Sequence, residues 1–519
     1  MLSNVPVNDG RFREYAGLPA DFIKNSEKDS KMSAEMTQNP PVEESMDQWA
    51  PEIRKRFWTW QMRTIFATMI GYALFYFLRK NFSLAMPGLE AEMGISKTSL
   101  GIFLTLNGLI YGASRFGYGM IADRCNARVL MTLGLLCCTT VSVLFGFAPE
   151  IAQAITGVSS GEKFIACMAA VMGVLWVLNG FFQGSGFPPC ARLLTHWIPP
   201  RELATKMSVW NTSHSIGAFI VVVMCGYIMG QSVIGGKPNP EIIPNDIWAN
   251  FQNGMGFGTG AWRYCFWIPA GFSFLGAIGL WLALRDTPTS VGLPELPGTG
   301  KAAVDPGSGP SKSFLKKAVF GNRFIWILGL ANFFVYVVRF SVLDWGPTLL
   351  SESKHVSLVH AGWLVAAFEI FGILGMLFFG WMTDAVLKGR AHRTCVICMA
   401  GSALFVLLFW LMPSNAPHWM LCFPLCGAGF CIYGPQALIG IAAANQATKR
   451  AAATANGFTG LFGYASVIVS GVGVGAMAQH VGWNLIYVLM VAISVVGMGI
   501  FLLMWNAPSD GYARLGDEE

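Results

Sequence analysis

The chain has 519 residues and a formal net charge of +6; 54% of its residues are apolar, 13% aromatic and only 12% charged. Soluble domains carry roughly 25% charged residues, so this composition excludes a soluble globular enzyme. It also excludes a nucleic-acid binder, whose basic residues would form a stripe on one soluble domain, and leaves a lipid bilayer as the main solvent.

Residues 1–53 are polar and hold no apolar run long enough for the core of a secretory signal, which predicts a cytoplasmic tail. The run Arg54-Lys55-Arg56-Phe57-Trp58-Thr59-Trp60 suits a headgroup interface. Hydrophobic segments are then predicted at 63–87, 98–121, 128–148, 164–187, 206–230 and 262–284, forming a first unit over 54–284. The hydrophilic stretch 285–322, with Pro294, Pro297, Pro306 and Pro310, reads as a cytoplasmic linker. Segments at 323–350, 358–383, 393–412, 417–442, 453–478 and 482–506 make a second unit over 323–506, followed by a short cytoplasmic tail at 507–519. The fold class expected is an all-α membrane protein with twelve transmembrane helices in two pseudo-symmetric six-helix halves.

Lys and Arg gather in alternate loops: Arg124 and Arg128, then Arg192, Arg201 and Lys206, then the linker, then Lys388, Arg390 and Arg393, then Lys449 and Arg450. The positive-inside rule places those loops and both termini in the cytoplasm. No eukaryotic targeting signal is evident, so a bacterial inner membrane is the expected location. The twelve cysteines mostly lie in or beside apolar runs and read as packing thiols; Cys395 and Cys398 have redox-motif spacing without a βαβ context. The seven histidines form no metal-site grouping, and no metal or cofactor is expected.

An internal repeat is measurable. Arg79 precedes Pro87 by eight residues and Arg339 precedes Pro347 by eight; Asp123 of Gly119-Met-Ile-Ala-Asp123 follows Arg79 by 44, and Asp384 of Gly380-Trp-Met-Thr-Asp384 follows Arg339 by 45. Two parallel six-helix units with a site between them near the bilayer midplane are the architecture of major-facilitator secondary transporters. Gly119-x-x-x-Asp123-Arg124-x-x-x-Arg128 resembles that superfamily's signature between its second and third helices. Asp123, Arg124, Arg128 and Asp384 are accordingly expected to gate, the alternative being a merely topogenic cluster.

Arginine within a hydrocarbon span costs about 3 kcal/mol on insertion scales, and Arg79, Arg115 and Arg339 all fall inside apolar segments. Snorkelling is the plain alternative, and Lys80 beside Arg79 reads as a sign of a nearby edge. The repeat sets Arg79 and Arg339 at equivalent points, where two facing cations call for an anion between them. A guanidinium offers a planar fork matching phosphate oxygens and does not deprotonate. His214, in Trp210-Asn211-Thr212-Ser213-His214, is either a packing histidine or a donor to a phosphate oxygen. Tyr72, Tyr76, Tyr111 and Tyr433 can line a cavity and supply hydroxyls, or pack as ordinary aromatics. Asp344 and Glu369 suit charge balance and gating.

The strings Gly-Tyr-Ala-Leu-Phe-Tyr-Phe-Leu-Arg79-Lys80-Asn-Phe, Phe-Gln-Gly-Ser-Gly-Phe-Pro188-Pro189-Cys-Ala-Arg, Val-Trp210-Asn211-Thr-Ser-His214, Val-Tyr-Val-Val-Arg339 and Gly-Phe-Thr-Gly-Leu-Phe-Gly-Tyr464 resemble the organophosphate:phosphate antiporter family over residues 55–506. The resemblance implies that Arg79 and Arg339 clamp phosphate, that His214 is the binding-site histidine, and that Arg115 stands where lysine is usual. Tyr433-Gly-Pro-Gln436 and the run at 191–195 look more like the hexose-phosphate branch than the glycerol-phosphate one. Gln436, Asn107, Asn179, Gln183 and Asn456 either bond sugar hydroxyls or link helices. The expected function is antiport of an organophosphate, a hexose 6-phosphate first, against inorganic phosphate by a monomer. A glycerol-3-phosphate antiporter and a transport-deficient sugar-phosphate sensor are the alternatives. The partners are those two anions and the bilayer, and no catalytic residue is assigned.

Overall fold

A computed structural model describes residues 49–122, 125–296 and 312–509. The chain is helical almost throughout, and the described residues include ten segments long and apolar enough to cross a membrane. Helix α1, Pro51–Met93, opens with proline at its first position, where the missing N–H is no loss. It closes at Gly94, whose φ of 68° lets its N–H reach back to the carbonyls of Leu89 and Glu90. Its 43 residues span about 64 Å at 1.5 Å each, twice the hydrocarbon core, so α1 projects beyond the predicted segment 63–87. Helix α2, Lys97–Ala122, follows. Neither α1 nor α2 is among the ten, and both carry embedded cations and polar groups.

Next come α3 (Ala127–Gly146), the short α4 (Ala148–Thr156), α5 (Glu162–Gln183), α6 (Phe187–Trp197) and α7 (Pro200–Met229). A two-residue antiparallel hairpin, β1 (Val233–Ile234) with β2 (Lys237–Pro238), pairs Val233 with Pro238. Helix α8 (Ile247–Gln252) and α9 (Ala261–Ala283) complete the first set. The connection between α7 and α9 is tied to the end of α1, where Glu92 Oε2 accepts the Gly260 N–H at 2.7 Å.

The predicted linker is only partly a linker. Leu293 and Leu296 are buried against Phe57 and Trp197, with Trp49 and Trp60 beside them, so the chain after α9 packs on the first turns of α1. Gln61 Nε2 donates to the Trp197 carbonyl at 2.8 Å and locks α6 into the same cluster. Pro297, Pro306 and Pro310 lie outside the described residues.

After the one-turn α10 (Lys312–Leu315) come α11 (Arg323–Ser353), α12 (Leu358–Ala385), α13 (Ala391–Leu411) and α14 (His418–Ala465). Helix α14 is helical without interruption, yet it doubles back. A Cβ placed on Gly440 would lie 3.1 Å from Asn456 Oδ1, whereas sixteen straight residues cover about 24 Å. A π-helical turn at Ile468–Gly473, α15 (Val474–His480) and α16 (Trp483–Leu502) end the fold.

The two sets of helices meet at one end of the bundle. A Cβ on Gly101 would lie 2.6 Å from the Gly471 carbonyl oxygen, and one on Gly362 would lie 2.9 Å from that of Val222. Such close backbone approach is how small residues join helices in lipid. Towards the other end, Gly117 and Gly119 of α2 and Gly457 and Gly460 of α14 have open space around them. The central site is therefore closed towards the α1–α2 turn and open towards the chain termini.

Candidate functional site

A cavity of about 710 Å³ lies between the two sets of helices, lined among others by Tyr72, Tyr76, Arg79, Tyr111, Arg115, His214, Arg339 and Gln436. Eight of the nine residues expected to bind substrate are thus on one wall or another. Four helices from the first set and two from the second supply that lining: α1, α2, α6 and α7 face α11 and α14.

The two repeat-related arginines are held alike. Arg79 Cζ sits 4.0 Å from the centre of the Tyr111 ring, and Arg339 Cζ sits 4.6 Å from that of Tyr433. Arg339 Nη2 donates to the Tyr433 hydroxyl at 3.1 Å, while its Nε is buried without a partner. Tyr433 is the ninth expected residue; it stands behind Arg339, buried, and holds the guanidinium from the rear. Arg115 crosses to the second set, donating from Nη1 to the Tyr464 hydroxyl at 3.1 Å with its guanidinium over the Phe187 ring at 4.3 Å. None of the three guanidiniums has an ion pair among the described residues.

His214 is fixed through Nδ1 to the Asn211 carbonyl oxygen and through Nε2 to Ser215 Oγ at 3.2 Å. Its ring lies 5.3 Å from that of Tyr76, which meets Tyr72 edge-on at 5.5 Å. Tyr72 stacks on Trp210, whose indole N–H bonds Thr68 Oγ1 at 3.0 Å, so a chain of aromatics anchors the wall in α1 and α7. Glu369 is buried with Oε2 unpartnered and lies within the electrostatic reach of His214 and Arg339.

Lys80 departs from the sequence reading. It marks no membrane edge: it is buried and pairs with Asp344 at 2.8 Å, joining α1 to α11. Asp344 takes the charge-balancing place expected of it. The amides also divide. Asn107, Asn179 and Gln183 donate to the carbonyls of Trp176, Leu78 and Phe75, so they link helices. Gln436 alone of that group lines the cavity, with a buried, unpartnered Oε1.

Tyr336, Phe340, Asn211 and Tyr464 line the cavity without having been singled out as ligands. Tyr336 lies three before Arg339, a helical spacing that could have pointed to it, and Phe340 lies four after Tyr336 on the same face.

Of the gating residues, Asp123 and Arg124 lie outside the described residues. Arg128 sits over the Trp281 ring at 4.2 Å, and Asp384 is exposed without an ion pair among the described residues. Arg192 bonds the Ala122 and Cys125 carbonyls and pairs with Asp286 at 3.1 Å. At the closed end Lys97 pairs with Glu90 and, at 3.1 Å, with Glu352, and its N–H bonds Gln479 Oε1 at 2.8 Å. Lys97 thus straps α2 to both α11 and α15.

All twelve cysteines are free, and no group of three metal-ligating side chains occurs among the described residues.

The model of the Major Facilitator Superfamily matches residues 68–471 and 328–519. The chain is 34% identical to a probable hexose phosphate transport protein of Chlamydia pneumoniae, over 88% of this chain and 93% of that one. It is 33% identical to a glycerol-3-phosphate transporter of Bacillus subtilis, over 86% and 92%, and 33% identical to the membrane sensor protein UhpC of Escherichia coli, over 88% and 94%. Among solved structures it is similar in fold to a bacterial homolog of the human lysosomal transporter Spinster in an inward-facing, unoccupied conformation. That likeness has a TM-score of 0.64 at 16% identity and covers 86% of this chain and 96% of the other. It is a membrane transporter's fold and not an enzyme's, and the chain belongs to the Major Facilitator Superfamily and, within it, to the organophosphate:phosphate antiporter family.

Proposed function

We propose that the chain exchanges a hexose 6-phosphate for inorganic phosphate by alternating access. The observation that carries this reading is a cavity holding three guanidiniums with no carboxylate paired to any of them among the described residues. An anion supplies the missing charge, and arginine forks match its oxygens in pairs. Without the anion the cations repel one another across a low-dielectric space and oppose closure; with it, attraction draws the two sets of helices together. A carrier built this way moves when loaded, which is exchange.

The free acceptor on Gln436, in a cavity also lined by Tyr336 and Phe340, suits a hydroxylated, ring-sized moiety. The relatives named for hexose phosphate and for glycerol-3-phosphate agree with a phosphate ester as cargo. We assign twelve transmembrane helices, counting α1 and α2 with the ten apolar segments, in two halves at 54–284 and 323–506. Termini and linker lie in the cytoplasm of a bacterial cell, so the conformation described is inward-open. The monomer is the working unit, since one chain supplies every wall of the cavity. Arg79, Arg115, Arg339, His214, Tyr72, Tyr76, Tyr111 and Gln436 meet the substrate, with Tyr433 holding Arg339.

Purified protein in liposomes is expected to take up labelled phosphate only when phosphate or a sugar phosphate is inside, with no nucleotide. Uptake that requires ATP and ignores internal phosphate would remove the antiport reading. The likeness to a protein named as a membrane sensor supports a second reading: tight binding of a hexose 6-phosphate with no flux would select it. Arg115 gives a finer check. Arg115→Ala should weaken phosphate binding about tenfold or more, because a charge-assisted contact is worth roughly 1.5–3 kcal/mol, whereas Arg115→Lys should retain exchange with an altered ranking of esters. Unchanged affinity in the alanine variant would take this side chain out of the site.

A further inference from the structure

Three arginines gather outside the transport cavity, where α1, α3 and α9 reach the membrane edge on the side of the termini. Arg63 Nη2 donates to the Leu282 carbonyl at 2.8 Å, and Arg285 Nη1 donates to the same oxygen at 3.2 Å, so the two guanidiniums converge on one point. Both also lie against the Trp60 ring, at 4.6 Å and 5.5 Å. Arg128 joins them: its guanidinium covers Trp281, it repels Arg285, and its Nε is buried without a hydrogen-bond partner. None of the three has a carboxylate partner among the described residues. The nearest acid in sequence, Asp286, is already engaged by Arg192 and by the Ala127 N–H at 2.7 Å.

The chemistry here is that of the central site with one difference. Three like charges lie near one another with no carboxylate partner among the described residues, which again calls for an external anion. Beside them, however, Trp281 and Leu282 are 46% and 61% exposed, and these belong to the last turn of α9, an apolar membrane span. A soluble phosphate would engage the guanidiniums but make no contact with those two side chains. A phospholipid satisfies both, its headgroup on the arginines and its acyl chains along α9, and basic and aromatic side chains at a span's end are anchors for that interface.

We propose that Arg63, Arg128 and Arg285 form a binding site for one anionic phospholipid, such as phosphatidylglycerol, on the face of α1, α3 and α9. The site is separate from the transport cavity and stands whether the chain transports or only senses. It also accounts for the packing of Arg128 on Trp281 at the end of an apolar span.

The test uses detergent-purified full chain and measures affinity for added phosphatidylglycerol, with phosphatidylcholine and inorganic phosphate as separate arms. Phosphatidylglycerol is expected to bind and to be retained in native mass spectrometry; phosphatidylcholine is not. A juxtamembrane cation contributes about fivefold in affinity, so Arg63→Gln, Arg128→Gln and Arg285→Gln should each weaken binding about fivefold and the triple variant about a hundredfold. The corresponding lysine variants should retain most of it. Because the glutamine variants could unfold, their gel-filtration profile and thermal unfolding in detergent are read alongside; the proposal expects both to match those of the unaltered chain. Equal retention of both lipids by the unaltered chain would overturn the proposal. So would undiminished phosphatidylglycerol binding in the triple variant, or its displacement by millimolar inorganic phosphate, which would make the arginines a soluble-anion site.

Discussion

Lysine at Arg79 or at Arg339 is expected to leave the protein folded and inserted but to cut phosphate affinity about tenfold or more. Each substitution keeps the charge and loses the planar fork. For Arg339 the loss is twofold: Nη2 is occupied by Tyr433 and Nε is the buried group with no protein partner, and a lysine ammonium cannot serve both directions at once. One charge-assisted hydrogen bond is worth roughly 1.5–3 kcal/mol, which sets the expected factor. If both arginines hold one ligand, as proposed, the double variant should lose less than the product of the two single losses. Phosphate affinity of the singles and the double decides the matter. Strictly independent losses, or one lysine variant of full affinity, would show that the two guanidiniums do not share an anion.

Asp344→Asn is expected to destabilise the protein by about 3–5 kcal/mol, the cost of leaving a buried charge unpaired. The Lys80 and Asp344 side chains are only 10% and 18% exposed and meet at 2.8 Å, and Lys80 also faces the two cavity arginines electrostatically. Without its carboxylate, a fourth cation stands uncompensated on the cavity lining, beside Arg79. Replacing both partners, as Lys80→Met with Asp344→Leu, should recover most of the stability, because an apolar pair of similar volume carries no desolvation penalty. Denaturation of the single and double variants in detergent measures both values. A single variant as stable as the parent would mean that water already screens the pair.

The arginines of the site were legible because charge inside an apolar run is costly, and cost is visible in one dimension. The eight-residue spacing to Pro87 and Pro347 then paired Arg79 with Arg339 before any contact was known. The amides were not legible in the same way. Asn107, Asn179, Gln183 and Gln436 look alike along the chain, yet three turn to backbone carbonyls of neighbouring helices and one to the cavity. Lys80 was misjudged for a related reason: its partner is 264 residues away, and a cation one residue from Arg79 reads as an edge until that partner is seen.

Composition and pattern by themselves determined that the chain lives in a bilayer, that its segments are helices, and which cations incur the cost of burial. These follow from the free energy of transferring each residue out of water, a local quantity that sums along the sequence. Only the tertiary structure decided which way each polar side chain faces. It set Tyr433 behind Arg339 while Tyr464 reaches Arg115 from across the cavity, closed the bundle through Lys97 at one end, and folded the start of the predicted linker onto Phe57 and Trp197. The rotation of a helix about its own axis is fixed by what packs against it, and in lipid, where apolar faces differ little in hydrophobic gain, that choice rests on contacts between residues hundreds of positions apart.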